Sequence, residues 1–75
     1  MVKMQKQRNI LKLFAQNLKK YRLKRGLTQQ ELAEQAGIEY KYIQRLEGKK
    51  PTAIRIDTLA RLAKALKIRS YQLLQ

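Results

Sequence analysis

The 75 residues carry 18 Lys and Arg against 5 acidic groups, a formal charge of +13, so the chain suits one small domain of roughly 3–5 kcal/mol net stability whose expected partner is a polyanion. The absence of Cys and His removes disulfides, thiolate metal sites, sulfur nucleophiles and the imidazole base, and Glu31, Glu34, Glu39 and Glu47 lack the pairing that acid–base work needs; no enzyme, metal, cofactor or small-molecule substrate is expected. No apolar run approaches the roughly 18–20 residues of a membrane span, and the start lacks the apolar core of a signal peptide, so a cytoplasmic location in a bacterium or phage is expected.

Helix-period apolar residues first appear at Ile10, Leu11, Phe14, Leu18 and Tyr21, a single stripe that Gly26 ends. Asn9 is a candidate cap for this first helix. The expected organisation is therefore a basic lead-in over 1–8 and one domain over 9–75. Thr28 and Glu31 then form a T-x-x-E capping box, with Leu27 and Leu32 as the staple pair. Gly37 stops this second helix through a left-handed turn, and Ile38 leads into a third in which Ile43 and Leu46 form the buried stripe. Ala33 is the small residue where the two helices cross.

After Leu46 the sequence EGKKPTAIR reads as loop, with Pro51 disfavouring continued helix. A fourth helix is read from Leu59, Leu62, Ala63 and Leu66, preceded by Ile56 and the candidate caps Asp57 and Thr58. Ser70 to Leu74 is read as a short fifth helix. With no strand-length alternation, the chain is expected to be compact and all-α. Its charge is uneven: residues 1–25 hold nine cations and no acid, whereas residues 26–48 hold two cations and four acids.

On the third helix, Ile43 and Leu46 set the inward side, and a turn of about 100° per residue places Lys41, Gln44 and Arg45 on the other. Two short helices crossing around a glycine turn in so basic a chain point to DNA, and there Arg45 is the leading base reader, because its fork can donate twice to guanine O6 and N7. Lys41 either reads guanine or neutralises phosphate.

The words RLKRGLTQQELAEQAGI, YIQRLEGKK and DTLARLAKALKI, spread over Phe14 to Leu74, resemble the lambda-repressor/Cro-like (XRE-type) helix-turn-helix DNA-binding family. The resemblance implies a five-helix lambda-repressor-like fold in which the second helix lies over the phosphate backbone and the third enters the major groove. It assigns Gln29, beside the cap Thr28, to a phosphate at a helix end that already favours anions. Glu39 and Tyr40 match positions that touch base edges or nearby phosphates. Tyr40 either presses on a thymine methyl, donates to a phosphate, or packs over Tyr42. Glu39 departs from the family's Ser or Thr cap and would repel phosphates unless it accepts from cytosine N4.

The same resemblance pairs Arg22 with Glu47 as a structural ion pair and places Lys49 and Lys50 along the sugar–phosphate backbone, with Gly48 allowing close approach. Two or three residues are inserted before Ile56, so Arg55 either adds a backbone contact or points to water. The expected function is a double-stranded DNA-binding transcription regulator, a phage-type repressor or a restriction–modification controller, acting as a homodimer on a palindromic operator with half-sites roughly 34 Å apart. Ile68, Tyr71, Leu73 and Leu74 are the dimer candidates, unless they only close the core. The alternatives are an antitoxin-like protein-interaction module with autoregulatory DNA binding, and a basic segment adhering to membranes or RNA.

Overall fold

The first helix, α1, spans Lys3–Lys24 and begins well before Asn9, which therefore lies inside the helix and not at its cap. Lys, Met, Gln and Arg at its start are good helix formers, and the segment contains neither Gly nor Pro to stop it. The computed structural model describes residues 3–50 and 52–75, with side chains from Ile10 onward, so the Asn9 side chain and the loop residue Pro51 lie outside the description. Phe14 and Leu18 enter the core, whereas Ile10, read as part of the same stripe, is 48% exposed. Gly26 takes φ 70° and ends the helix.

Helix α2 (Gln29–Ala36) starts at a complete box: Thr28 Oγ1 accepts from the Glu31 amide at 3.0 Å, and Glu31 Oε1 accepts from the Thr28 amide at 2.8 Å. Gly37, at φ 69°, closes it while donating its N–H to the carbonyls of Ala33 and Glu34. Helix α3 (Tyr40–Leu46) follows after three residues and packs on α2, which also packs on α4 (Ile56–Leu66). The fully buried side chains Phe14, Leu18, Leu32, Ile43, Leu46, Leu62, Leu66 and Leu73 form one core drawn from every element. No strand occurs among the described residues, and no helix there is long and apolar enough to cross a membrane.

Two expectations about the C-terminal third are corrected. Helix α4 begins at Ile56 with Arg55 at the cap position, so Asp57 and Thr58 lie in its first turn; the Asp57 carboxylate accepts the Thr58 amide at 2.9 Å, and Ile56 itself is 84% exposed. Ser70–Leu74 is a single 3-10 helix, so the described residues hold four α-helices and not five. Five residues are too few to close a stable α-helical run. The segment is fixed instead by Gln72 Oε1 accepting from the Arg69 amide at 2.9 Å, and by Asn17, which donates to the Leu73 carbonyl at 3.0 Å.

Helix α4 ends at Lys67, a non-glycine residue at φ 59°. The left-handed conformation costs a side-chain-bearing residue roughly 1–2 kcal/mol, offset in part by the extra chain entropy that glycine brings to the unfolded state. Lys67→Gly is expected to stabilise the domain by about 0.5–1 kcal/mol, read as a raised urea midpoint with unchanged slope.

Candidate nucleic-acid interface

Helix α3 is divided lengthwise. Ile43 and Leu46 have no exposed surface, while Tyr40, Lys41, Gln44 and Arg45 are exposed together on the outward side. Gln44 Nε2 donates to the Tyr40 hydroxyl at 3.1 Å, which orders two polar side chains one turn apart. Lys41 and Arg45 have no acidic partner among the described residues. Glu39 occupies the cap position with an extended backbone, but its carboxylate makes no capping bond and is exposed. Its negative charge thus stands at the start of an otherwise cationic face.

The orientation of α3 is held by a three-helix polar junction. The Arg22 guanidinium grips Glu47 in two bonds, Nε to Oε2 at 2.8 Å and Nη2 to Oε1 at 2.9 Å, and Nη1 donates to the Leu27 carbonyl at 2.8 Å. Gln29 Nε2 donates to the same Glu47 Oε1 at 3.0 Å. The two charged side chains are only 9% and 3% exposed. The two nearly buried charges are thereby satisfied, a condition for charges at a packed junction, while Leu27 and Gln29 stand half-buried at its edge. The Gln29 side chain thus has a partner inside the protein that its sequence position does not announce.

Above this junction, Arg22, Thr28, Gln29, Gln30 and Tyr40 line a shallow concavity. The capping box satisfies the Thr28 and Glu31 amides and leaves the N–H groups of Gln29 and Gln30 as the first-turn donors, beside the positive end of the α2 dipole. An oxyanion seated there would meet backbone donors and an arginine edge together.

The segment after α3 carries Gly48, Lys49 and Lys50, all exposed. Gly48 is explained by helix geometry: a Cβ there would lie 3.2 Å from the Gln44 carbonyl oxygen and 3.4 Å from that of Arg45, both backbone atoms. Arg55 is exposed and pairs with Asp57 at 3.2 Å, a contact of little energetic weight in solvent. Among the dimer candidates, Tyr71 and Leu74 are 57% and 41% exposed, and Ile68 is half-buried against the core. Leu73 is corrected: it is wholly buried and belongs to the core, because the 3-10 helix turns it inward between α1 and α4.

Sequence reasoning missed Asn17, buried at 6% exposure, whose carboxamide reaches the Leu73 and Gln75 carbonyls at 3.0 and 3.3 Å. A polar residue on the inward stripe of an amphipathic helix was the available signal. It also missed Arg61, which donates to the Gly37 carbonyl at 3.4 Å across the turn between α2 and α3.

Residues 17–75 match the family model of the Cro/C1-type helix-turn-helix DNA-binding domain. The Neisseria hypothetical transcription factor, from Neisseria meningitidis serogroup B, is 34% identical over 62 residues, which make up 83% of this chain; the chain spans 58% of that protein's length. The crystal structure of hypothetical transcription factor NHTF from Neisseria superposes with a TM-score of 0.82 at 32% identity, over 88% of this chain and 75% of that one. The restriction–modification controller protein C.AhdI from Aeromonas hydrophila gives 0.78 at 30% identity, over 84% of this chain and 94% of its own. The biofilm master regulator SinR, solved in complex with DNA, gives 0.79 at 31%, over 83% of this chain and 98% of its own.

Proposed function

We infer that this chain, which belongs to the Cro/C1-type helix-turn-helix DNA-binding family, is a sequence-specific transcription regulator that lays α3 in the major groove and acts without catalysis. The observation that carries the reading is the division of α3: a polar, cationic side with Lys41, Gln44 and Arg45 outward, backed by a fully buried apolar side. A helix so anchored presents a fixed row of donors to base edges. Arg45 reads guanine, Lys41 and Gln44 extend the row, and Tyr40 and Glu39 meet the bases or phosphates at its start. At the α2 start, beside the cap Thr28, the free amides of Gln29 and Gln30 hold one phosphate, and Lys49, Lys50 and Arg55 follow the strand beyond α3.

One such helix reads only a few base pairs, so useful specificity calls for two copies on half-sites about one helical turn, roughly 34 Å, apart. Tyr71 and Leu74, exposed apolar surface beside the half-buried Ile68, supply the homodimer contact. Such a dimer on a palindromic operator is the arrangement of a phage-type repressor or a restriction–modification controller. Selection of bound duplexes from a random pool tests the whole reading. A palindromic consensus is expected. Recovery of duplexes with no shared sequence would overturn base reading, and a consensus without two-fold symmetry would overturn the dimer.

A further inference from the structure

We propose that the cleft between α1 and the segment following α3, lined by Lys12, Gln16, Lys19 and Lys49, holds a backbone phosphate of the DNA flanking the bases that α3 reads. The inference rests on the groove-reading role of α3 and extends the DNA contact to α1, whose sequence shows an excess of cations without assigning any of them a contact. Lys12, Gln16 and Lys19 stand at i, i+4 and i+7, on one stripe of α1. Between them and Lys49 the floor is made by small groups, Ala15 at 7% exposure and Gly48 without a side chain, so the three lysines and Gln16 border a real concavity.

The charge balance there is one-sided. Lys12, Lys19 and Lys49 have no acidic partner among the described residues, and the one carboxylate at the cleft, Glu47, is already held by Arg22. Like charges around one depression repel until an anion enters. At about 180 Å³ the cleft falls below the roughly 300–1,000 Å³ of sites that enclose small organic ligands, and its size suits a single phosphate-sized group. Lysine supplies a compact charge with rotatable donors, and Gln16 adds an amide donor for a non-bridging oxygen. Lys49 follows α3 by three residues, so the cleft opens beside the C-terminal end of the reading helix. A strand passing along that segment crosses its mouth.

The test uses the full chain and the duplex returned by random-pool selection, lengthened by about one helical turn (~10 base pairs) on each side. For Lys12→Ala/Lys19→Ala, the log–log salt dependence of binding is expected to become shallower by about 0.9 per bound copy, with base preference unchanged. Ethylation of one phosphate outside the selected sequence, which blocks the wild-type chain, should cease to matter to the variant. Lys12→Arg/Lys19→Arg should keep the wild-type slope. An unchanged slope together with an unchanged ethylation pattern overturns the cleft while leaving α3 as the base reader. If the wild-type chain selects no duplex at all, the reading of α3 falls, and the cleft with it. Lys12 and Lys19 are exposed, so coincident thermal melts of variant and wild type separate a lost contact from a lost fold.

Discussion

Glu47→Ala is expected to destabilise the domain by about 3–5 kcal/mol, the cost of leaving one charge of a buried pair without its partner. The exposures of 9% and 3% for Arg22 and Glu47 decide the magnitude: a pair open to water would be worth about 1 kcal/mol or less, and this one is closed. The truncation also removes the acceptor of Gln29 Nε2. A chain of this size holds only roughly 3–5 kcal/mol in total, so little or no net stability should remain and a large fraction of molecules should be unfolded at ambient temperature, seen as a collapsed urea midpoint. Arg22→Met/Glu47→Leu removes both charges and should recover much of the loss, because apolar replacement of both partners is often neutral. A Glu47→Ala cost below about 1 kcal/mol would show the junction to be hydrated and unimportant to the placement of α3.

Arg45→Ala should leave stability unchanged, since its side chain is exposed and has no acidic partner among the described residues, and should instead cost about 1–3 kcal/mol of discrimination at one position of each half-site. In binding terms the preferred duplex weakens by roughly 5- to 150-fold for each half-site occupied, while duplexes already changed at that position weaken far less. Lys50→Ala gives the opposite signature: every sequence weakens alike, and the salt slope falls by about 0.9 per copy. Titration of both variants against the selected duplex and its single-base changes distinguishes the two. If Arg45→Ala loses affinity equally for all of them, Arg45 is a phosphate contact and the base-reading assignment is wrong.

What the sequence disclosed was chemistry that acts over a few residues. The Thr28–Glu31 box is complete within four positions, and both of its bonds are present. Gly26 and Gly37 both take the left-handed conformation that a helix stop needs. Ile43 and Leu46 define their face by spacing alone, and the outward side of α3 follows from it. The rest lies where the partner is distant or the local rule is overridden. Asn17 finds its acceptor 56 residues away, and Gln29 is drawn to a carboxylate 18 positions on; neither pairing has a local signature. Asp57 looks like a cap, yet α4 starts two residues earlier than an Asp57 cap would place it, because the Leu59 amide donates to the Arg55 carbonyl at 3.0 Å and closes the first turn there. Leu73 and Leu74 are indistinguishable as letters, and only the path of the 3-10 helix makes one core and the other surface.

The brevity of α3 has a consequence for how this molecule responds to heat. Seven residues are about half of the ~12–15 that an isolated helix needs to persist in water, so the rod has no existence apart from the packing of Ile43 and Leu46. An excised peptide of residues 39–47 should be random coil and indifferent to base sequence. Occupancy of an operator and integrity of the domain should then vanish in one cooperative step, and the protein would behave as a sharp thermal fuse whose set point is moved by any substitution in the core.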